Sequence, residues 1–179
     1  MRIIKQIALF FLGVLFLASC SNKIYYTSEL NAKVAQRNLT VHKIQFYVSK
    51  NIVLKRILPQ DNAELANGEI RFEDGKLIDQ VIIKKNTPGT CEFIDNGFMF
   101  MTFEEGGNKL LKFNPSKNGQ YYQLFINQDP ANFRKVTYDT CVYTIQTGAD
   151  KARLWVRKDQ DYILKVTNRV AEGKKVNEN

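Results

Sequence analysis

Residues 91–103 read CEFIDNGFMFMTF, two strongly apolar runs on either side of Asn96-Gly97. An Asn-Gly pair between alternating apolar residues is the strongest short-range signal for a β-hairpin, because both central positions of a type I′ turn need a positive φ. The stretch therefore predicts two antiparallel strands joined by a two-residue turn.

Similar turn signals recur along the chain at Asp74-Gly75, Gly106-Gly107 and Asn118-Gly119, separated by short apolar runs. With a further break at Thr87-Pro88-Gly89, turn signals recur at roughly ten-residue intervals through much of the chain, which is typical of an antiparallel meander. Parallel strands would need crossovers of about a dozen residues, usually helical, which the sequence lacks. We therefore predict an all-β fold of about ten to twelve strands, forming a barrel or a two-sheet sandwich. Helix is expected only in the leader, in residues 28–37 and for one turn after Asp129.

The chain begins with a basic segment that carries Arg2 and Lys5, followed by the apolar run IALFFLGVLFLAS from Ile7 to Ser19. A helix of this length would cover only about 20 Å. The hydrocarbon core of a bilayer is about 30 Å thick. The run is too short to span it, and the layout predicts a cleaved signal peptide over residues 1–19.

The tetrapeptide Leu17-Ala18-Ser19-Cys20 resembles the lipobox of bacterial lipoproteins. The resemblance implies cleavage between Ser19 and Cys20 and attachment of fatty chains such as palmitate at the Cys20 sulfur. Several acyl chains on one residue make a practically permanent membrane anchor. In such lipoproteins an aspartate after the cysteine favours the inner membrane, so Ser21 implies the outer membrane. The following SNKIYYTSEL lacks the acidic run associated with display on the cell surface, which implies the periplasmic side. The alternative is an ordinary secreted protein cleaved after Ser19.

Removal of the leader leaves 160 of the 179 residues, enough for one domain with a sizeable core. We expect a tether over residues 20–38, a β-domain over 39–171 and a flexible tail over 172–179. The net charge falls from +8 to +6 and is spread without runs of basic residues, which argues against nucleic acid as a partner.

Apart from Cys20, the chain contains two cysteines, Cys91 and Cys141. Each begins an alternating apolar run, so both are expected to point inward. Export to an oxidising compartment would allow a disulfide between them. Two separate buried thiols fit the pattern as well.

The sequence offers little for catalysis. His42 is the only histidine, and in HKIQFYV it is expected on a strand face with Ile44 and Phe46. The acidic pairs Glu73-Asp74 and Glu104-Glu105 fall in predicted turns, where charge faces water. Phosphate-binding loops, GxSxG elbows and HExxH helices are absent from the sequence. We therefore expect no enzyme activity, no cofactor and no metal.

The strand FMFMTF is apolar on both faces, with Phe98 and Phe100 on one side and Met99, Met101 and Phe103 on the other. Such a strand is typical of one that is covered on both sides. The alternative is an apolar pocket or a partner surface, because exposed aromatic rings anchor binding. The candidate residues for that surface are Phe98, Met99, Phe100, Met101, Phe103, Tyr121 and Trp155.

Two function classes follow for an anchored β-domain. The first is a non-catalytic binding or scaffolding module for a protein partner in the cell envelope. The alternative is a carrier that holds a lipid or another apolar ligand inside a barrel, and a glycan hydrolase is the weakest hypothesis. The mature chain resembles small all-β envelope lipoproteins in general character, but no motif matches residue by residue. A cavity of several hundred Å³ lined by Phe and Met would favour the carrier, whereas a filled core with an exposed aromatic patch would favour the binding module.

Overall fold

The computed structural model describes residues 22–59 and 69–159. These residues form two antiparallel sheets, one of seven strands and one of five. The predicted all-β antiparallel fold is confirmed, and the two open sheets are consistent with a sandwich. The leader, the cleavage residues Ser19 and Cys20, the last part of the predicted β-domain (residues 160–171) and the tail lie outside the described residues.

The strands and the α-helix have the following bounds. The seven-stranded sheet contains β1 (Lys23–Tyr25), β2 (Phe46–Val48), β6 (Pro88–Asp95), β7 (Phe98–Thr102), β8 (Leu110–Pro115), β9 (Tyr122–Leu124) and β12 (Leu154–Arg157), in the order β1-β12-β2-β6-β7-β8-β9. The five-stranded sheet contains β3 (Ile52–Leu58), β4 (Glu69–Glu73), β5 (Lys76–Ile83), β10 (Lys135–Tyr138) and β11 (Cys141–Ile145), in the order β10-β11-β3-β5-β4. The helix α1 comprises Ser28–Gln36.

The turns lie where the sequence predicts them. Asn96-Gly97 joins β6 to β7 with φ angles of 47° and 79°, and Asp74-Gly75 joins β4 to β5 with 50° and 72°. Asp139-Thr140 connects β10 to β11 with φ angles of 48° and 68°, although it contains no glycine. The predicted single turn after Asp129 is a 3₁₀ helix over Pro130–Asn132.

The expected tether over residues 20–38 needs correction, because from Asn22 onward the segment belongs to the folded domain. The strand β1 pairs with β12, and the next residue, Tyr26, is fully buried with its ring edge-on to that of Phe46. The side chain of Thr27 accepts a hydrogen bond from the Leu30 amide and so caps α1. Local polarity suggested a linker, but a cap and one buried ring fix the segment to the core.

One hydrophobic core fills the space between the two sheets. The seven-stranded sheet contributes large side chains that are almost fully buried, and so does the five-stranded sheet. They include Phe46, Met99, Met101, Leu111 and Phe113 from the first sheet and Ile52, Leu54, Tyr138, Tyr143 and Ile145 from the second.

The close packing of β6 makes a first prediction. A Cβ atom at Gly89 would lie 2.5 Å from Cδ1 of Phe103 and 2.6 Å from the backbone oxygen of Thr102. Because a backbone atom cannot move aside, we expect Gly89→Ala to lower the free energy of unfolding by about 1–3 kcal/mol. Urea denaturation measures this.

The matched control for that variant is Gly107→Ala, whose new Cβ would meet no atom within 4 Å. It is expected to change the free energy of unfolding by less than about 0.5 kcal/mol. Equal effects of the two variants would contradict the packing argument.

Candidate partner-binding surface

His42 is not on a strand, as the sequence suggested, but in a 3₁₀ helix over Val41–Lys43, with β2 beginning only at Phe46. Its side chain is exposed, and the ring Nδ1 lies 2.7 Å from the carbonyl oxygen of Cys91. Because a carbonyl oxygen only accepts, Nδ1 donates in this bond. This hydrogen bond links the His42 side chain to the backbone of β6. Across residues 22–59 and 69–159, no three His, Cys, Asp or Glu side chains are grouped as a metal site.

The two cysteines are both free, so the expected disulfide is corrected to two separate thiols. Cys91 is buried on β6 in the seven-stranded sheet, and its thiol donates to the carbonyl oxygen of Phe93. Burial raises the pKa of the Cys91 thiol to about 12, which keeps it protonated at neutral pH. Cys141 is half-buried and begins β11 in the other sheet. The two cysteines therefore belong to different sheets and are not bridged.

The candidate surface residues of β7 lie on two opposite faces of the sheet. Met99 and Met101 are 0% exposed and lie in the core, so they are removed from that surface. Phe103 is half-buried and packs against the core as well. Phe98 and Phe100 lie half-buried on the opposite, outer face of the sheet. The predicted orientation of the five side chains is thus observed, and only the two phenylalanines of β7 remain candidates for binding.

A β-bulge adds a further ring to this outer face. The register between β6 and β7 shifts between Cys91 and Phe93, so that Cys91 pairs with the buried Met101 but Phe93 pairs with the outward Phe100. Without the bulge, Phe93 would share the inner face with Cys91, because side chains two residues apart on a strand point the same way. Instead its ring stacks on that of Phe100, with centroids 4.3 Å apart, and 44% of Phe93 is exposed.

These rings surround a lysine. The Lys112 ammonium lies 3.9 Å from the ring centroid of Phe98, 5.2 Å from that of Phe125 and 5.5 Å from that of Phe100. Such distances allow cation–π attraction to all three rings. We call Phe93, Phe98, Phe100, Lys112 and Phe125 the aromatic patch.

A groove of about 500 Å³ runs beside the aromatic patch. One wall comes from the patch and the other from the β10–β11 hairpin. A hydrogen bond from the Asp139 amide to the Asn108 carbonyl oxygen links this hairpin to the β7–β8 loop. The lining residues include Phe93, Phe100, Leu110, Lys112, Val136 and Thr137.

The hairpin wall of the groove is the edge of a sheet. The Ile145 amide donates to the Arg134 carbonyl oxygen, so these residues form a hydrogen-bonded pair. Hydrogen-bonded pairs alternate along an antiparallel ladder, so Lys135 and Thr137 direct their backbone groups away from β11. In the described part of the chain, β10 has no other strand beside it. The groove therefore offers backbone donors and acceptors with no strand partner among the described residues, next to the exposed ring of Phe93 and the half-buried ring of Phe100.

Tyr121 and Trp155 form a separate cluster around β1 and β12. The Arg153 guanidinium lies 3.8 Å from the ring centroid of Tyr121 and 5.4 Å from that of Tyr25. Trp155 stacks on Tyr47 with centroids 4.3 Å apart and is only 6% exposed. Trp155 is thus largely covered and does not belong to the aromatic patch.

A buried charged network is the other unusual chemical group. Asp79 on β5 is 0% exposed and accepts hydrogen bonds from Nε of Arg56 at 2.6 Å and from the Tyr143 hydroxyl at 2.8 Å. Burial, followed by the hydrogen bond to Asp79, raises the pKa of Tyr143 above its usual range. Because solvent does not reach Asp79, a substrate could not contact it. The network instead links β3, β5 and β11.

Sequence reasoning missed Phe93, Lys112 and Phe125 as members of the surface. Their convergence depends on the bulge and on strand pairing, which no local pattern encodes. Over residues 22–59 and 69–159, no helix has the length and apolar character needed to cross a membrane. In comparisons with known proteins, no family model, no curated protein and no solved structure matches the chain.

Proposed function

We propose that the chain is a lipid-anchored, non-catalytic binding module of the cell envelope, held at the outer membrane through Cys20 and facing the periplasm. In this proposal the aromatic patch and the adjoining groove receive a protein partner. The observation that carries it is the division of β7, because its methionines fill the core while its phenylalanines lie on the outer face. A carrier would instead need those methionines to line an internal cavity.

The partner segment that fits the groove best is an extended one. A peptide that lies along β10 would take up the outward backbone groups of Lys135 and Thr137, as in β-strand addition. Its alternate side chains would then pack on Phe93 and Phe100. An acidic side chain beside them would meet the Lys112 ammonium, which gives the groove a preference for apolar and acidic residues in alternation.

Site-specific photo-crosslinking in the native envelope tests this proposal. A photoreactive residue at Phe93 or Thr137, both exposed, should capture the same partner. The same probe at Lys33, which is exposed on α1, is the control and should not capture it. Capture of one partner from all three positions, or from Lys33 alone, would overturn the proposed surface.

Substitutions in the aromatic patch give the quantitative prediction. The double variant Phe93→Ser/Lys112→Glu removes an exposed ring and reverses the charge in the groove. We expect capture by the Thr137 probe to fall at least about tenfold, which corresponds to about 1.4 kcal/mol. Lys117→Glu, an exposed charge reversal in the β8–β9 loop, is the charge control and should leave capture unchanged. Equal losses in the two variants would contradict the prediction, and thermal melting checks that both variants fold.

A further inference from the structure

The position of β1 limits the distance between the domain and the proposed anchor, and this inference rests on that anchor. Lys23, the first residue of β1, comes only three positions after Cys20 in the sequence. Even a fully extended chain of that length spans at most about 10 Å. If Cys20 carries the acyl chains, the surface around β1 therefore lies at the level of the lipid headgroups.

That surface contains a pocket of about 300 Å³. Strand β1, the chain just after β2, the turn before β6 and strand β12 all contribute to it, so the pocket is part of the folded sheet. Its lining includes Lys23, Tyr25, Ser49, Lys85, Asn86 and Trp155.

The pocket is basic, and none of the described residues that line it is acidic. The Lys23 ammonium donates to Oδ1 of Asn86 at 3.2 Å and lies 4.4 Å above the Trp155 ring. Within the described ranges neither Lys23 nor Lys85 has a carboxylate in ion-pair distance, whereas Lys55 and Lys109 each have one. Among the described residues, the two lysines of the pocket thus have no carboxylate as a counterion, and the proposed anchor would bring lipid phosphates to the same place.

The aromatic rings of the pocket suit the same environment. Tyr25 is 46% exposed and lies beside Trp155 across the β1–β12 pair. Tyrosine and tryptophan are favoured at the membrane–water interface, where a ring can be partly apolar and partly hydrated. Lysines near an anionic surface add attraction that falls off within a Debye length.

We propose that this pocket binds the phosphate of an anionic phospholipid in the leaflet that carries the anchor. Lys23 and Lys85 hold the phosphate, and Tyr25 rests among the headgroups. The domain is then fixed in one orientation on the bilayer instead of swinging from its acylated cysteine.

Vesicle binding by the mature chain with Cys20→Ser isolates the pocket from the anchor. We expect this protein to cosediment with phosphatidylglycerol vesicles at least tenfold better than with phosphatidylcholine vesicles. The emission of Trp155, the only tryptophan, should change on binding. Lys23→Glu/Lys85→Glu should lower the binding at least tenfold and abolish the emission change.

The control is Lys76→Glu/Lys117→Glu, which makes the same change in net charge at two exposed positions that do not line the pocket. If both double variants lost vesicle binding equally, the binding would depend on net charge alone, and the proposed phosphate pocket would be wrong. Binding of millimolar inorganic phosphate with the change in Trp155 emission, but without any binding to phosphatidylglycerol vesicles, would assign the pocket to free phosphate and overturn the membrane proposal. Palmitate labelling of the wild type reports on the anchor separately, so failure of the anchor and failure of the pocket are distinguishable.

Discussion

Replacement of Cys20 by alanine is expected to abolish fatty acylation and to release the protein from the membrane fraction. The sulfur of Cys20 is the atom to which the lipid would be joined, and alanine offers no nucleophile. Each buried methylene of an acyl chain contributes about 0.8 kcal/mol to membrane binding, so the loss of several chains removes the anchor completely. Labelled palmitate and fractionation of the envelope measure the two effects.

Cys141→Ala is the matched control for that experiment. Cys141 is free and half-buried at the beginning of β11, remote in sequence from the lipobox. This variant should keep both the label and the membrane location. Palmitate on the Cys20→Ala protein, or an intact leader on the mature wild type, would refute the anchor.

Asp79→Ala is expected to lower the free energy of unfolding by about 3–5 kcal/mol, because removing one member of a buried ion pair leaves the other charge without that partner. The Arg56 guanidinium and the Tyr143 hydroxyl would both lose the carboxylate that they share. The loss also disconnects β5 from β3 and β11 at their inner face. Urea denaturation followed by circular dichroism measures the change.

An exposed ion pair on the same sheet provides the comparison. The Lys55 ammonium lies 2.8 Å from Oε2 of Glu73, and both side chains reach solvent. Glu73→Ala is therefore expected to cost less than about 1 kcal/mol. If Asp79→Ala cost no more than this, the buried network would have no special role in stability. Tyr143→Phe keeps the ring and removes only the hydroxyl. Its loss of unfolding free energy should lie between those of Glu73→Ala and Asp79→Ala.

The turns and the fold class could be predicted because their signals are local. Asn96-Gly97 and Asp74-Gly75 adopt the positive φ angles that their residue types favour, and the alternating runs around them become strands. The beginning of the domain could not be predicted in this way. The three residues of β1 are too few for a periodic pattern, and their place in the sheet depends on pairing with β12, which is distant in sequence.

The candidate surface was half predictable for the same reason. The alternation in FMFMTF separated Phe98 and Phe100 from Met99 and Met101, since side chains alternate along any strand. The outward position of Phe93 could not be predicted from the sequence. The extra residue of the β-bulge turns its side chain to the other face of the sheet, and the bulge arises from the pairing with β7. The cysteines show a related limit, because an inward direction on two strands says nothing about which sheets hold them.

The pairing of β1 with β12 also bears on how the protein matures. Tyr25 and Trp155 are neighbours across this ladder although they stand near opposite ends of the described chain. A contact of such high sequence separation forms late, because a long loop must close first. If the chain is exported with its amino end first, β1 therefore stays unpaired until almost the entire polypeptide has crossed the membrane. Mutations that weaken the β1–β12 ladder should then prolong the time during which β1 is unpaired and the chain depends on chaperones.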